Sequence, residues 1–331
     1  MRTEAMATRS RRRGSAVIGV IAGFALLVAA CGSDGASDSD VPADTVGGTE
    51  QPATVASAPD TAAAETTASA DVPQRIVSLS PTHTEMLFAI GAGDQLVAVD
   101  EFSNYPTEAL ELPNELSGFE PNVEAIAAYE PDLVVIGGDF TGLGAQLDEL
   151  GIAWWDGPAA LTLDDSYTQI EQLGAATGHV GEAAELVSSM QMDIDEIVVA
   201  TPVADEPLTF YHELDPTLYS ADSTTFIGEL YALLGLQNIA DRVEGDSGGF
   251  PQLSAEFVVS ADPDLIFLAD TKCCAESAET VGAREGWASL SAVENGNVVE
   301  MDDDIASRWG PRVVDYLAAV AAAVQQASVP A

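Results

Sequence analysis

Positive charge is the first thing this sequence lacks. Against 54 Asp and Glu stand 11 Lys and Arg, a formal net charge of −43 over 331 residues. Nothing here neutralises phosphates in number, which excludes sequence-independent binding to DNA or RNA. Docking on anionic lipid through a basic patch is excluded on the same ground. Lysine is down to Lys272, and no Gly-Lys-Ser/Thr occurs, so no phosphate-cradling loop is present. Histidine is limited to His83, His179 and His212, with no His-rich loop. What remains is long enough for about two domains with a sizeable core.

The few basic residues are unevenly placed. Arg2, Arg9, Arg11, Arg12 and Arg13 crowd the N-terminus; after Cys31 only Arg75, Arg242, Lys272, Arg284, Arg308 and Arg312 follow. The cationic start precedes an apolar run over 16–30, too short for a membrane span with its flanks and right for a signal-peptide core. Its end, Val28-Ala29-Ala30-Cys31, resembles the bacterial lipoprotein signal, in which the cysteine is lipidated and becomes the mature N-terminus. Residues 32–72 are Ser, Asp, Ala, Thr, Pro and Gly almost throughout, without aromatic residues. Such a stretch cannot bury enough apolar surface to offset its ordering entropy. It is expected to be a disordered tether that lets the body float about 35 Å from its anchor.

From Arg75 onward, short β-branched runs alternate with amphipathic segments, the mark of βα units and parallel sheets. Strands are predicted at 75–79, 96–99, 133–136 and 153–155, then at 208–212, 237–240, 265–268 and 298–301. Two passages repeat. Asn122-Val-Glu124-Ala-Ile-Ala-Ala-Tyr-Glu-Pro131-Asp-Leu-Val-Val-Ile136 aligns with Ser254-Ala-Glu256-Phe-Val-Val-Ser-Ala-Asp-Pro263-Asp-Leu-Ile-Phe-Leu268 without a gap. Glu85-Met-Leu-Phe-Ala-Ile-Gly91 matches Glu229-Leu-Tyr-Ala-Leu-Leu-Gly235. Between the halves, residues 182–200 lack Gly and Pro and space Ala183, Leu186, Val187, Met190, Ile194 and Ile197 helically. The expected fold is α/β, with two similar Rossmann-like lobes of parallel sheet joined by a single long helix. The chain divides into a lipoprotein signal peptide 1–30, a disordered tether 31–72, an N-terminal lobe 73–181, a connecting helix 182–201 and a C-terminal lobe 202–331.

Arg75-Ile-Val-Ser-Leu-Ser-Pro-Thr-His-Thr-Glu85, Glu130-Pro-Asp-Leu-Val, Phe250-Pro-Gln-Leu-Ser-Ala-Glu256 and Ser307-Arg-Trp-Gly-Pro-Arg312 carry a resemblance. Over 73 to about 325 the chain resembles the ferric-siderophore and vitamin B12 family, the helix-linked substrate-binding proteins of ABC importers. The resemblance implies a lipid-anchored receptor on the extracytoplasmic face of the cell membrane, held there by its N-terminal lipid at Cys31 alone. It would capture a ferric siderophore, a corrinoid or haem and deliver it to a permease dimer driven by a cytoplasmic ATPase. It would perform no chemistry and need no cofactor beyond the iron or cobalt in its ligand. In the family, glutamates at the places of Glu124 and Glu256 meet arginines of the permease. Here each stands in the first turn of its helix, behind Asn122 or Ser254 as N-cap.

Ligand contacts are expected on loops after the strands, where open α/β sheets present their ligands. His83 follows the first strand, and His212 stands in the cluster Tyr211-His212-Glu213, with Tyr219 beyond it. Thr82-His-Thr-Glu85 has the spacing of a capping box, which assigns Glu85 to structure. Asp304 and Arg308 match a cleft pair of B12-binding members, and the resemblance makes Arg308 ligand-facing and leaves Arg312 structural. Phe102, Tyr105, Phe119, Phe140, Phe250 and Trp309 are candidates for the walls of a wide apolar cleft. B12-binding members tend to carry tryptophan near Gly118, Gly137 and Phe250, and this chain departs from that pattern. With Cys31 lipidated, Cys273 and Cys274 pair with each other, stay free or bridge another chain; a vicinal disulfide is the favoured state outside the cell. No metal ligands are assigned. A bare-metal or haem-binding receptor, using His83, His212 or a tyrosine, is an alternative. So is an anchored serine hydrolase on Gly245-Asp-Ser247-Gly-Gly249, although Pro251 comes where an elbow needs a helix.

Overall fold

The computed structural model describes residues 72–202, 206–245 and 247–328. The signal peptide 1–30, Cys31 and the tether up to residue 71 lie outside the described residues.

All eight expected strands are present, in two parallel sheets. β1 (Ile76–Ser78), β2 (Leu96–Val99), β3 (Leu133–Ile136) and β4 (Trp154–Asp156) lie in the order β2-β1-β3-β4. β5 (Thr209–Glu213), β6 (Gln237–Asn238), β7 (Leu265–Leu268) and β8 (Val298–Glu300) repeat that order as β6-β5-β7-β8. β3 and β7 are buried along their whole length, as befits near-continuous apolar runs covered on both faces.

Helices cover the first sheet as α1 (Pro81–Ala89), α2 (Val123–Ala127), α3 (Leu143–Leu150) and α4 (Leu163–Thr177). α5 (Val180–Ala200) comes next, and then α6 (Phe226–Leu233), α7 (Ala255–Ala261), α8 (Thr271–Cys274), α9 (Ala278–Gly282), α10 (Ser291–Glu294), α11 (Asp303–Ala306) and α12 (Val313–Ala327). α5 buries Ala183, Val187, Met190 and Ile194, one stripe at helical spacing, and packs against α4 and α12. No helix among the described residues is long and apolar enough to cross a membrane.

The sequence repeat is a repeat of local geometry. Asn122 Oδ1 caps α2 by accepting from the backbone N–H of Glu124 and Ala125, and Ser254 Oγ caps α7 by accepting from that of Phe257. After each helix a non-glycine residue takes a left-handed conformation just before proline, Glu130 at φ 48° and Asp262 at φ 46°. The aspartate after that proline then ties down the start of a neighbouring strand. Asp132 accepts from the backbone N–H of Gln74 and Arg75, both at 2.9 Å; Asp264 Oδ2 accepts from Thr209 N and Oγ1, both at 2.8 Å. A glycine with positive φ stands after both α1 and α6, at Gly91 and Gly235.

One apolar core runs from Ile76 and Met86 through α4, α5 and α12 to Phe210, Tyr231 and Phe267. Each sheet keeps a smaller cluster on its other face, around Ile126 and Leu147 in one and Trp287 and Leu290 in the other. The capping box expected at Thr82 is absent. α1 begins at Pro81 behind Ser80, because proline at the first helical position outweighs a threonine one place later.

Candidate functional site

The loops at the carboxyl ends of the two sheets meet along a seam. From one side come the loop after β2 (100–106), the start of α1 and the start of α4; from the other come 302–312, after β8. The centre of the seam is Glu85, on α1, which is 2% exposed and accepts from Arg308 Nη1 at 2.6 Å and Arg312 Nε at 2.8 Å. Arg308 also donates to Asn104 Oδ1 and the Phe102 carbonyl, each at 3.0 Å, and to Asp304 Oδ1 at 3.1 Å. Asp304 further accepts from Asn104 Nδ2 at 3.0 Å and Lys272 Nζ at 2.8 Å. The Arg312 guanidinium lies 4.2 Å above the Tyr105 ring. Two guanidinium groups on one buried carboxylate offset its desolvation through short, charge-assisted hydrogen bonds. Arg308, expected to face the ligand, is buried and donates through both Nη groups to Glu85, Asn104, Phe102 and Asp304, while Asp304 is half-buried at the edge of this network.

Neither candidate histidine presents a ring nitrogen to solvent. His83 is fully buried, with Nδ1 at 2.7 Å from Ser80 Oγ and Nε2 at 2.9 Å from Gln169 Oε1. Because a side-chain amide oxygen only accepts, Nε2 carries the proton. The same oxygen accepts from Trp309 Nε1 at 2.9 Å, and the Trp309 carbonyl accepts from Ser166 Oγ, so Trp309 is tied into the seam rather than free at a cleft wall. His212, also fully buried, pairs Nδ1 with the Tyr231 hydroxyl at 2.9 Å, and that hydroxyl lies 2.6 Å from Tyr316 Oη. Burial pulls each imidazole down to about 4, so both rings are neutral at neutral pH. The strand-end rule misplaced His212 because alternate residues of β5 point into opposite layers, and His212 shares the inner one with Phe210.

The aromatic candidates divide differently. Phe119 is 77% exposed and Phe140 88% exposed. Phe102, Tyr105, Tyr219 and Phe250 are also exposed, on loops after β2, β5 and β6. Phe102 and Phe119 meet edge to face with ring centres 5.8 Å apart. Two of the three positions where tryptophan is missing leave little room for a side chain. A Cβ on Gly118 would run into the Leu79 carbonyl oxygen, and one on Gly137 would lie 3.0 Å from Ser80 Oγ. A groove of about 910 Å³ runs beside the seam, between Phe88, Leu96, Tyr105, Leu112, Pro311 and Arg312. That volume suits a drug-sized or larger ligand.

A second polar cluster lies at the carboxyl ends of β5 and β7, around the Glu213 of the Tyr211-His212-Glu213 run. Glu213 is fully buried and takes two parallel bonds of 2.6 Å from Arg284, whose Nη2 also reaches Glu276 at 2.8 Å. Asp270 is fully buried beside them, with no N–H or hydroxyl donor to either oxygen, and its carboxyl lies against that of Glu213. Burial, then the nearby Glu213 charge, pushes its carboxyl up to about 7. Directly after it, Cys273 and Cys274 are joined in a disulfide within α8. Asp303 holds that helix by accepting from the backbone N–H of Thr271, Lys272 and Cys273 at 2.8–2.9 Å.

Glu124 and Glu256 are both exposed in the first turns of α2 and α7. Ser247 is exposed in a loop, and the next helix after it is α7, so the strand–turn–helix elbow of a serine hydrolase is absent there. Among the described residues no group of three or more His, Cys, Asp or Glu is placed to hold a metal ion.

This frame matches known proteins. The family model described as periplasmic binding protein matches residues 76–305, and the chain belongs to that family. It is 31% identical over 251 residues to an uncharacterized ABC transporter substrate-binding lipoprotein of Bacillus subtilis, covering 73% of this chain and 77% of that one. It is 29% identical over 265 residues to a protein of Halobacterium salinarum named cobalamin-binding protein, covering 78% and 71%. Among solved structures, the periplasmic vitamin B12 binding protein of Vibrio cholerae superposes with a TM-score of 0.65 at 28% identity, over 78% of this chain and 99% of that one. The serine-hydrolase alternative finds no support in these relatives.

Proposed function

We propose that this chain is the extracytoplasmic receptor of an ABC importer, which captures a bulky iron or cobalt chelate and hands it unchanged to a permease driven by a cytoplasmic ATPase. The ligand class is a ferric siderophore or a corrinoid. The observation that carries this reading is the duplicated parallel-sheet frame, with exposed aromatic residues on the carboxyl-end loops of both sheets and one exposed glutamate on each half. Relatives named for cobalamin and for ABC transport support it. In this reading 73–181 and 202–331 act as two lobes about the helix 182–201, and lipid on Cys31 anchors the chain beyond the tether. Phe102, Tyr105, Phe119, Phe140, Tyr219 and Phe250 line the ligand. Closure on the ligand is small, because one helix and a continuous core connect the lobes.

Glu124 and Glu256 set the register on the permease, since complementary charges govern orientation and on-rate more than affinity. The double variant Glu124→Ala/Glu256→Ala is expected to abolish chelate uptake into cells while leaving chelate affinity in solution unchanged. Normal uptake by that variant would refute the docking role. Failure of ferric hydroxamates, ferric catecholates, cobalamin and haemin alike to bind the full chain would refute the receptor reading.

A further inference from the structure

The charge of the ligand can be read from where the cations are. An anionic chelate needs free guanidinium or ammonium groups at its site, because carboxylates or catecholates leaving water require paired charge. The seam has three cations, and all three are engaged. Arg308 and Arg312 bind Glu85, Arg308 also binds Asp304, and Lys272 bridges Asp302 at 2.6 Å and Asp304 at 2.8 Å. Arg284 is likewise committed to Glu213 and Glu276. Arg75 spends its guanidinium on the carbonyls of Tyr129 and Glu130. Arg242 is the exception: it is exposed at the end of a short 3₁₀ turn on the loop that also bears Phe250, and it makes no ion pair among the described residues, with Asp241 and Glu244 as its neighbours in sequence.

The loops that bear the exposed aromatics carry the opposite sign. Glu101 and Glu120 are exposed beside Phe102 and Phe119, Asp139 adjoins Phe140, and Asp215 and Glu244 lie on the loops that bear Tyr219 and Phe250. Low-dielectric walls lined by one sign of charge focus the field across the space they border. We infer that the site selects chelates of zero or positive net charge and turns away those with free carboxylates or ionised catecholates. This rests on the chelate-receptor reading above and deepens it: a neutral corrinoid or a neutral or cationic ferric hydroxamate fits, whereas haem with its propionates and ferric tricatecholates do not.

The test is calorimetric titration of the full chain with two scaffolds, each in three charge forms. One is a linear ferric trihydroxamate with a free amine, and its acetylated and succinylated derivatives. The other is cobalamin, and its derivatives bearing one added amine or one added carboxylate. Within the scaffold that binds, the cationic form is expected to bind about tenfold more tightly than the anionic form at low salt. The gap should close at about 1 M salt, where the screening length falls to ~3 Å. Equal or tighter binding of the anionic form at low salt would overturn the inference and leave the receptor reading standing. Silence from every form of both scaffolds would overturn the inference, and the receptor reading would fall with it only if ferric catecholates and haemin also failed to bind. Glu101→Arg/Glu120→Arg, at two exposed positions, should narrow the preference by several-fold at low salt; an unchanged preference would overturn the assignment of the field to these loops.

Discussion

Glu85 on α1 and Glu229 on α6 occupy matching places in the repeat, and both reach across to the other half of the molecule, but they meet different partners. Glu85 takes two arginines from the segment after β8. Glu229 takes a single backbone N–H, that of Leu163 at the start of α4, at 2.8 Å. The Glu229 carboxyl is pushed up by burial, with Asp164 and Asp165 adding to the rise against the Leu163 bond. The repeat thus dictates where a carboxylate crosses the seam but not what it meets there. One crossing is a buried ion network, and the other is a helix-terminus hydrogen bond of the kind a first-turn N–H makes with any acceptor.

The largest effect should separate these two crossings. Glu85→Gln leaves Arg312 without its carboxylate and Arg308 with Asp304 alone, a change expected to cost about 3–5 kcal/mol. Glu229→Gln keeps an acceptor for the Leu163 N–H and should cost about 1 kcal/mol. Urea denaturation midpoints of the two variants are the measurement, and equal losses would break the contrast between them.

The halves also differ at the carboxyl ends of their central strands. Where β1 continues into Leu79, β5 ends in Glu213, which brings Arg284 and the buried Asp270 into the second half. In the folded chain Asp270 holds its proton up to about pH 7, while an unfolded aspartate releases it near pH ~3.9. Between those values the folded state binds more protons, so this group's contribution to stability falls as pH rises through the window. Burial of neutral His83 and His212 acts in reverse, with stability lost as pH falls from about 6.5 through about 4. Asp270→Asn isolates the first effect, since the histidines are common to parent and variant. Its stability should exceed the parent's by a margin that grows by about 2–3 kcal/mol between pH 5 and pH 8, read as a melting-temperature gap that widens by several degrees. A difference that does not change with pH would show that Asp270 does not titrate in this window.

The frame was legible because it is written in short-range chemistry. β-branched runs bounded by Pro-Asp marked β3 and β7, and the gapless match of 122–136 to 254–268 carried the two caps. The exposed phenylalanines were legible through their loops. The seam was not, because Glu85 and its arginines lie more than two hundred residues apart, and no local pattern announces such a pair. Glu85 was assigned to structure correctly but through a cap it does not make; its match to Glu229 was the available signal for a role at the seam. Arg308 was read toward the ligand from its spacing to Asp304. That i,i+4 pair does form, with Arg308 buried at its inner end, where Glu85, Asn104 and the Phe102 carbonyl take the arginine's other Nη donors. Asp270 could be found only from the sheet, which brings the ends of β5 and β7 together.

The smallest effect tests the closest likeness between the halves, the capped helices that bear Glu124 and Glu256. Asn122 satisfies two first-turn N–H groups, at 3.0 and 3.1 Å, while Ser254 satisfies one, at 3.2 Å. Both caps are exposed, so the freed groups meet water on truncation and the losses stay modest. Asn122→Ala should cost about 1 kcal/mol and Ser254→Ala about 0.5 kcal/mol. The functional consequence should be larger than the thermodynamic one. A frayed first turn no longer fixes the glutamate it carries, and a docking contact depends on the position of the charge as well as its sign. Each cap variant is therefore expected to lower chelate uptake several-fold while leaving chelate affinity at the parental value. Unchanged uptake with the stability loss in place would mean that the glutamates dock without an ordered first turn, and that the caps matter only to the fold.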